Sequence, residues 1–321
     1  MSAREAAVLE AGGPAVTRLM GRVEERMAKL VRGHGPMLAR HAGETIAAGG
    51  KRLRPLLVCL AAGAPPPETD GLVSAAVAVE LVHGATLVHD DVLDASVLRR
   101  GRPTVLAAGG RRVATATGDL LLSRAFAELA CVRSPLAVQV LSRASSELSR
   151  GELMQRADAW STDVSIERYL ERCRLKTAVL FRAACELGVL EAGGGTESLG
   201  SFGERIGVAF QILDDVLDVS APSERTGKPR GADLLDGTVT LPLIIARSRD
   251  PQLEELALRS VRTPEDAARV CDRIAATDAL EPAQARALGL VSRAKSMLAA
   301  LPDRQRAALE LVADGVVERY S

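Results

Sequence analysis

Leu81-Val82-His83-Gly84-Ala85-Thr86-Leu87-Val88-His89-Asp90-Asp91-Val92-Leu93-Asp94 reads as an apolar helix running into a pentapeptide that returns letter for letter as Asp214-Asp215-Val216-Leu217-Asp218. With Asp at roughly one residue in sixteen, two D-D-x-x-D runs are expected by chance in roughly 0.003 chains of this length. Both copies lie in helix-patterned sequence, Leu81 to Leu98 and Phe202 to Val219. At about 100° per residue, Asp90 shares a face with Asp94, and Asp214 with Asp218. Like charges at that spacing destabilise a helix. Two such pairs on apolar helices point to a neutralising cation. Hard carboxylate oxygens favour Mg2+, which is often held by one or two carboxylates together with substrate phosphates.

Working outward, nearly every segment repeats at helical period, and no run alternates convincingly as a strand. Ala, Leu, Arg and Glu dominate and aromatics are only 2% of 321 residues, which favours an all-α fold. Breaks fall at Gly49-Gly50, Ala64 to Gly71, Gly101 to Pro103, Gly193 to Gly195 and Ala221 to Gly237. Helix starts are marked at Ser165, followed by Glu167, and at Thr263-Pro264-Glu265-Asp266. The interruptions are short, so residues 1–321 read as one domain. The longest break, Ala221 to Gly237, carries Arg225, Lys228 and Arg230 and reads as a mobile basic loop able to close over an anion.

Lys and Arg total 41, as do Asp and Glu, so a zero net charge gives no electrostatic argument for nucleic acid or an anionic membrane. Five scattered cysteines with no C-x-x-C fit buried free thiols in a reducing cytoplasm. No basic-then-apolar leader opens the chain. The apolar stretch Leu72 to Val88 is interrupted by Glu80 and His83, which argues against a transmembrane segment.

Basic groups accompany the acids. A flexible Gly49-Gly50 turn precedes Lys51 and Arg54, a pairing suited to phosphate oxygens. His83 lies seven residues before Asp90 and can share its face. Arg99 and Arg100 follow Asp94 where Gly101 and Pro103 end the helix, Lys176-Thr177 lies inside another helix, and Gln211 is one turn before Asp215.

The runs GGKRLRP, HGATLVHDDVLD, RRGRPT, KTA, FQILDDVLD and GKPRGADLLDGTVTLP, in that order from residue 49 to about 245, resemble the trans-isoprenyl diphosphate synthase (polyprenyl synthase) family. The resemblance implies an all-α bundle around a central cavity, usually a homodimer, with Mg2+ as cofactor. It also implies that Lys51, Arg54, His83 and Arg100 hold isopentenyl diphosphate. Arg99, Lys176, Thr177, Gln211 and Lys228 would contact the allylic diphosphate. Asp90, Asp94 and Asp214 would bind Mg2+, with Asp91, Asp215 and Asp218 supporting them or holding metal-bound water. The chemistry is coherent: negative charge develops on the departing diphosphate, and cations stabilise it. The isopentenyl double bond held beside the allylic cation then attacks, and water must be excluded.

One position departs from the family pattern: Thr238 stands where many members have Lys, so one cationic contact to the allylic diphosphate is missing. Product length is expected to follow the residues before the first motif. In the family it resembles these residues floor the elongation cavity; here Ala85 and Thr86 are small and Leu81 lies one turn deeper, so the resemblance implies a deep tunnel and a medium- or long-chain product, with geranylgeranyl or farnesyl diphosphate as the alternative. A terpene cyclase would have one such Asp motif and more aromatics. A non-catalytic subunit of a heteromeric synthase typically lacks one or both motifs.

Overall fold

The computed structural model describes residues 3–32, 52–99, 101–132, 134–195, 197–222 and 229–318. Helix α1 spans Ala3–Gly12, α2 Pro14–Arg32, α3 Leu53–Ala61 and α4 Asp70–Leu93. A hairpin of β1 (Leu98–Arg99) and β2 (Arg102–Pro103) follows, then α5 Val105–Leu129, α6 Leu136–Asp158 and α7 Ile166–Cys173. A π-helical turn, Arg174–Ala178, runs directly into α8 (Val179–Glu191), and α9 covers Glu197–Ser220. The rest comprises α10 Ala232–Leu235, α11 Leu241–Arg247, α12 Pro251–Glu254, a 3-10 turn Leu258–Ser260, α13 Pro264–Ala275, α14 Leu280–Ser296 and α15 Asp303–Glu318. The all-α expectation holds. Among the described residues the single exception is the hairpin, where Leu98 pairs with Pro103 and Arg99 with Arg102.

The chain forms two compact units, one of residues 1–145, 180–203 and 297–312, the other of 146–179, 204–296 and 313–321. The chain passes back and forth between them, and the boundary falls inside α6, α8, α9 and α15.

In the first unit α4 is the central element. Thr69 caps it, its hydroxyl accepting the Leu72 N–H at 3.1 Å. Its side chains from Leu72 to Val82 are buried on every face, the signature of a core helix. It is the one helix among the described residues long and apolar enough to cross a membrane, and 83% of its apolar window is buried inside the fold. Helix α5 packs along it. Gly118 makes that approach possible: a Cβ there would stand 2.2 Å from Nε2 of His89. Helix α4 stops at Leu93, short of the Leu98 expected from the apolar pattern. Asp94 is its C-cap, donating its N–H to the Asp90 carbonyl at 2.8 Å, and Ala95 turns left-handed at φ 51°. The apolar Val97 and Leu98 that suggested more helix are exposed around the hairpin.

In the second unit the predicted caps are in place. Ser165 accepts the Arg168 N–H, and Thr263 with Asp266 forms a reciprocal capping box. The stretch from Ala221 to Gly237 is not all loop. Its described part contains α10, and Arg230 is occupied by the Val219 carbonyl and the Asp272 carboxylate. Trp160, at φ 67°, donates its N–H to the Gly237 carbonyl at 2.8 Å. A Cβ at Gly237 would lie 2.3 Å from the indole, and Arg259 stands 5.4 Å from the ring centroid.

All five cysteines are free, four of them buried; Cys131 is exposed, a correction to the expectation that all are buried.

Candidate active site

Two clusters carry the residues singled out in the sequence. In the first unit, Asp90 and Asp94 are partly exposed at the end of α4, whereas Asp91 between them is buried. Arg99 reaches back from the hairpin and puts Nε (2.9 Å) and Nη2 (2.8 Å) on one oxygen of Asp91. Arg99, expected on the allylic diphosphate, is thus paired with an acid of the first motif. A buried carboxylate is costly unless donors meet it, and Arg99 supplies two.

The basic run at the start of α3 divides its labour. Arg52, left-handed at φ 44°, is bound to Glu24 of α2 at 2.6 Å and Glu80 of α4 at 2.9 Å. That makes it a structural clamp between helices. Arg54 differs: its guanidinium lies 4.6 Å from the Phe181 ring centroid, and its Nε has no hydrogen-bond partner among the described residues. Burial pulls its pKa down to about 10, partly offset by the Glu80 charge. His83 is partly exposed on α4, and its carbonyl accepts the Thr86 hydroxyl at 2.8 Å. Leu81 and Ala85 are 1% and 2% exposed, while Thr86 is only partly buried.

In the second unit the π-helical turn holds Lys176 and Thr177, where the sequence suggested ordinary helix. Such single-turn π segments recur at functional sites because they re-aim side chains. Gly151 of α6 lets the turn come close, since a Cβ there would meet the Lys176 backbone nitrogen at 2.7 Å. The neighbouring Glu152 places Oε2 2.6 Å from the Lys176 ammonium, and its Oε1 accepts from Arg156 at 2.9 Å. Burial alone would raise the Glu152 pKa, but the adjacent Lys176 and Arg156 outweigh it and hold the group ionised.

Thr177, Gln211 and the second motif are brought together directly. Thr177 donates to Oε1 of Gln211 at 2.7 Å, and Nε2 of Gln211 donates to Asp215 at 2.8 Å. The other Asp215 oxygen accepts the Tyr169 hydroxyl at 2.6 Å. Burial, and then the charge of Asp233, pushes the Asp215 pKa upward. Asp214 is exposed. Asp218 accepts the N–H groups of Ala232 (3.1 Å) and Asp233 (3.2 Å), capping α10. Each Asp218 oxygen thus accepts one backbone N–H. Thr238, at the family's Lys position, donates its N–H to the Asp233 carbonyl at 2.8 Å.

Lys51, Arg100 and Lys228 lie outside the described residues. Sequence reasoning missed Tyr169 and Glu152. The rarity of tyrosine, two in the chain, was the signal for the first, since a buried Tyr hydroxyl almost always has a partner. Glu152 gave none beyond the preceding Gly151.

Among the described residues no three His, Cys, Asp or Glu side chains converge as a ready-made metal cage. Sparse carboxylates suit Mg2+, which retains waters and takes further ligands from substrate phosphates.

A family model described as Polyprenyl synthetase matches residues 36–276. Heptaprenyl diphosphate synthase component 2 of Geobacillus stearothermophilus is 40% identical over 284 residues, covering 87% of this chain and 89% of that protein. The crystal structure of heptaprenyl diphosphate synthase from Staphylococcus aureus superposes with a TM-score of 0.89 at 31% identity, covering 95% of this chain and 99% of that one. A polyprenyl synthase from Caulobacter crescentus, solved with calcium and isoprenyl diphosphate, gives 0.87 at 36% identity, covering 99% of this chain and 98% of that one. With a family model matching more than half of the chain and these relatives matched over most of their own length, the chain belongs to the polyprenyl synthetase family.

Proposed function

We propose that the protein is a Mg2+-dependent trans-prenyltransferase that adds isopentenyl diphosphate repeatedly to an allylic diphosphate primer, giving a medium- or long-chain polyprenyl diphosphate. The observation that carries this reading is the shared pattern of the two acidic motifs. In each, the first Asp is accessible while the middle Asp is buried and fixed by donors.

Asp90, Asp94 and Asp214 would hold the metal, which when bound supplies charge stabilisation to the leaving diphosphate. Lys176, aimed by its ion pair with Glu152, adds a cation for the same charge. Arg54 and His83, with Lys51 and Arg100, would hold isopentenyl diphosphate beside the primer. Arg99, Thr177, Gln211 and Lys228 complete the allylic side. No acid–base dyad of protein side chains is required if the proton lost after condensation goes to the departing diphosphate.

The interleaving of the two units along the chain supports one domain over residues 1–321. Exposed Leu136, Val138 and Leu153 on α6 support a homodimer. The free thiols support a cytoplasmic setting.

The test is direct. Purified protein alone, given labelled isopentenyl diphosphate, an allylic primer and Mg2+, should elongate the primer, and chelation should stop it. No product without a second polypeptide would overturn the reading in favour of a dependent subunit; a cyclic hydrocarbon would favour a cyclase. For product length, Thr86→Phe is the cleanest probe. Ala85 is buried, so Phe there would overpack the core at about 1–3 kcal/mol. Truncating Leu81 would remove about 2–5 kcal/mol of stability. Thr86→Phe should shift the product toward farnesyl or geranylgeranyl length, and an unchanged chromatogram would show that the chain grows elsewhere.

A further inference from the structure

Asp215 is 4% exposed, and its two oxygens are met by donors from two different elements, Tyr169 of α7 and Gln211 of α9. Gln211 presents its NH2 to Asp215 at 2.8 Å and its carbonyl to Thr177 at 2.7 Å. Thr177 must then donate its only proton to Gln211. Donor direction is therefore set along the whole line: Tyr169 to Asp215, Gln211 to Asp215, Thr177 to Gln211. Tyr169 is the anchor at the buried end. It is wholly buried, fixed by packing, and its hydroxyl can reach Asp215 at 2.6 Å without solvent.

We propose that Tyr169 is a positioning residue for the second acidic motif, locking Asp215 so that the adjacent Asp214 is held outward and Thr177 is held in one hydrogen-bonding sense. The proposal rests on the prenyltransferase reading above, and it assigns Tyr169 no contact with substrate. Without the hydroxyl, Asp215 keeps a single strong donor and its carboxylate can rotate. Gln211 then loses its fixed polarity, and the turn of α9 carrying Asp214 loses its tether to α7. Partners that orient metal-holding carboxylates typically change metal affinity or activity by about 10–100-fold when removed.

Tyr169→Phe removes one oxygen and keeps the packed ring. The experiment measures Mn2+ binding to the full-length protein by electron paramagnetic resonance, with an unreactive allylic diphosphate analogue present, alongside steady-state kinetics for both substrates. Expected is a cooperative melt, Mn2+ binding weakened by about 10–100-fold, reduced kcat, and an unchanged KM for isopentenyl diphosphate. A merely structural role would move both substrates together and leave the Mn2+ signal intact, and that result would overturn the proposal. Should Tyr169→Phe fail to fold, the near-isosteric Thr177→Val probes the line from its other end, with Mn2+ titrated in the absence of the analogue so that a lost diphosphate contact plays no part. Weakened Mn2+ binding there supports the proposal, and wild-type binding overturns it. If the unmodified protein itself neither binds the analogue with Mn2+ nor condenses substrates, the prenyltransferase reading fails instead, so the two failures are distinguishable.

Discussion

The same five residues, Asp-Asp-Val-Leu-Asp, do different structural work at their two positions. At Asp90–Asp94 the motif ends a helix: Asp94 is the C-cap, the chain turns left-handed at Ala95, and the buried Asp91 is met by an arginine from the following hairpin. At Asp214–Asp218 the helix continues to Ser220, the buried Asp215 is met by Tyr169 and Gln211, and Asp218 caps a second helix. Flanking sequence decides the outcome. After the first copy come Ala95, Ser96 and a hairpin whose Gly101 and Arg102 are exposed; after the second come Val219 and a glycine-bearing segment that folds back on Asp218. Identical motifs thus share the accessibility of their first Asp and the burial of their second, and differ in what the third one does.

The largest test of that equivalence is chemical. Asp90→Asn and Asp214→Asn should each lower turnover by about a hundred- to a thousandfold with the fold intact by circular dichroism. Near-normal turnover in either would break the symmetry of the two copies as metal holders. Next, Arg54→Ala should weaken isopentenyl diphosphate by about 1.5–3 kcal/mol, read as a rise in its KM at saturating primer. An equal rise for the primer would contradict the division of substrates. Smallest, and specific to the third Asp, Asp218→Ala should cost about 1–2 kcal/mol of stability through the lost α10 cap. Asp94→Ala should cost less, and equal melting temperatures for the two variants would erase the structural distinction.

Much of this was legible in the chain because it depends on local spacing. The helical period, the Thr263 and Ser165 caps and the pairing of carboxylates need only residues a few positions apart. The end of α4 was misread because Val97 and Leu98 continue the apolar period while the backbone leaves the helix at Asp94. The π turn was invisible, since it comes from the close approach of Gly151, more than twenty positions away in sequence. Tyr169 and Glu152 act through contacts 46 and 24 residues distant, for which no periodic pattern exists. The basic run before α3 looked uniform, yet Arg52 and Arg54 have separate fates because only Arg52 meets carboxylates from two neighbouring helices.

The contact between Trp160 and Gly237 has a spectroscopic consequence. Trp160 is the sole tryptophan in the chain, so all indole emission comes from one ring, pressed on Gly237 and overlaid by Arg259. Gly237 immediately precedes Thr238, the position where the family's lysine is missing, and lies two residues past α10, the helix capped by Asp218. The unmodified protein therefore carries its own optical probe at the exit of the second acidic motif. Rearrangement of that segment would appear as a change in the colour and intensity of a single fluorophore, with no label introduced.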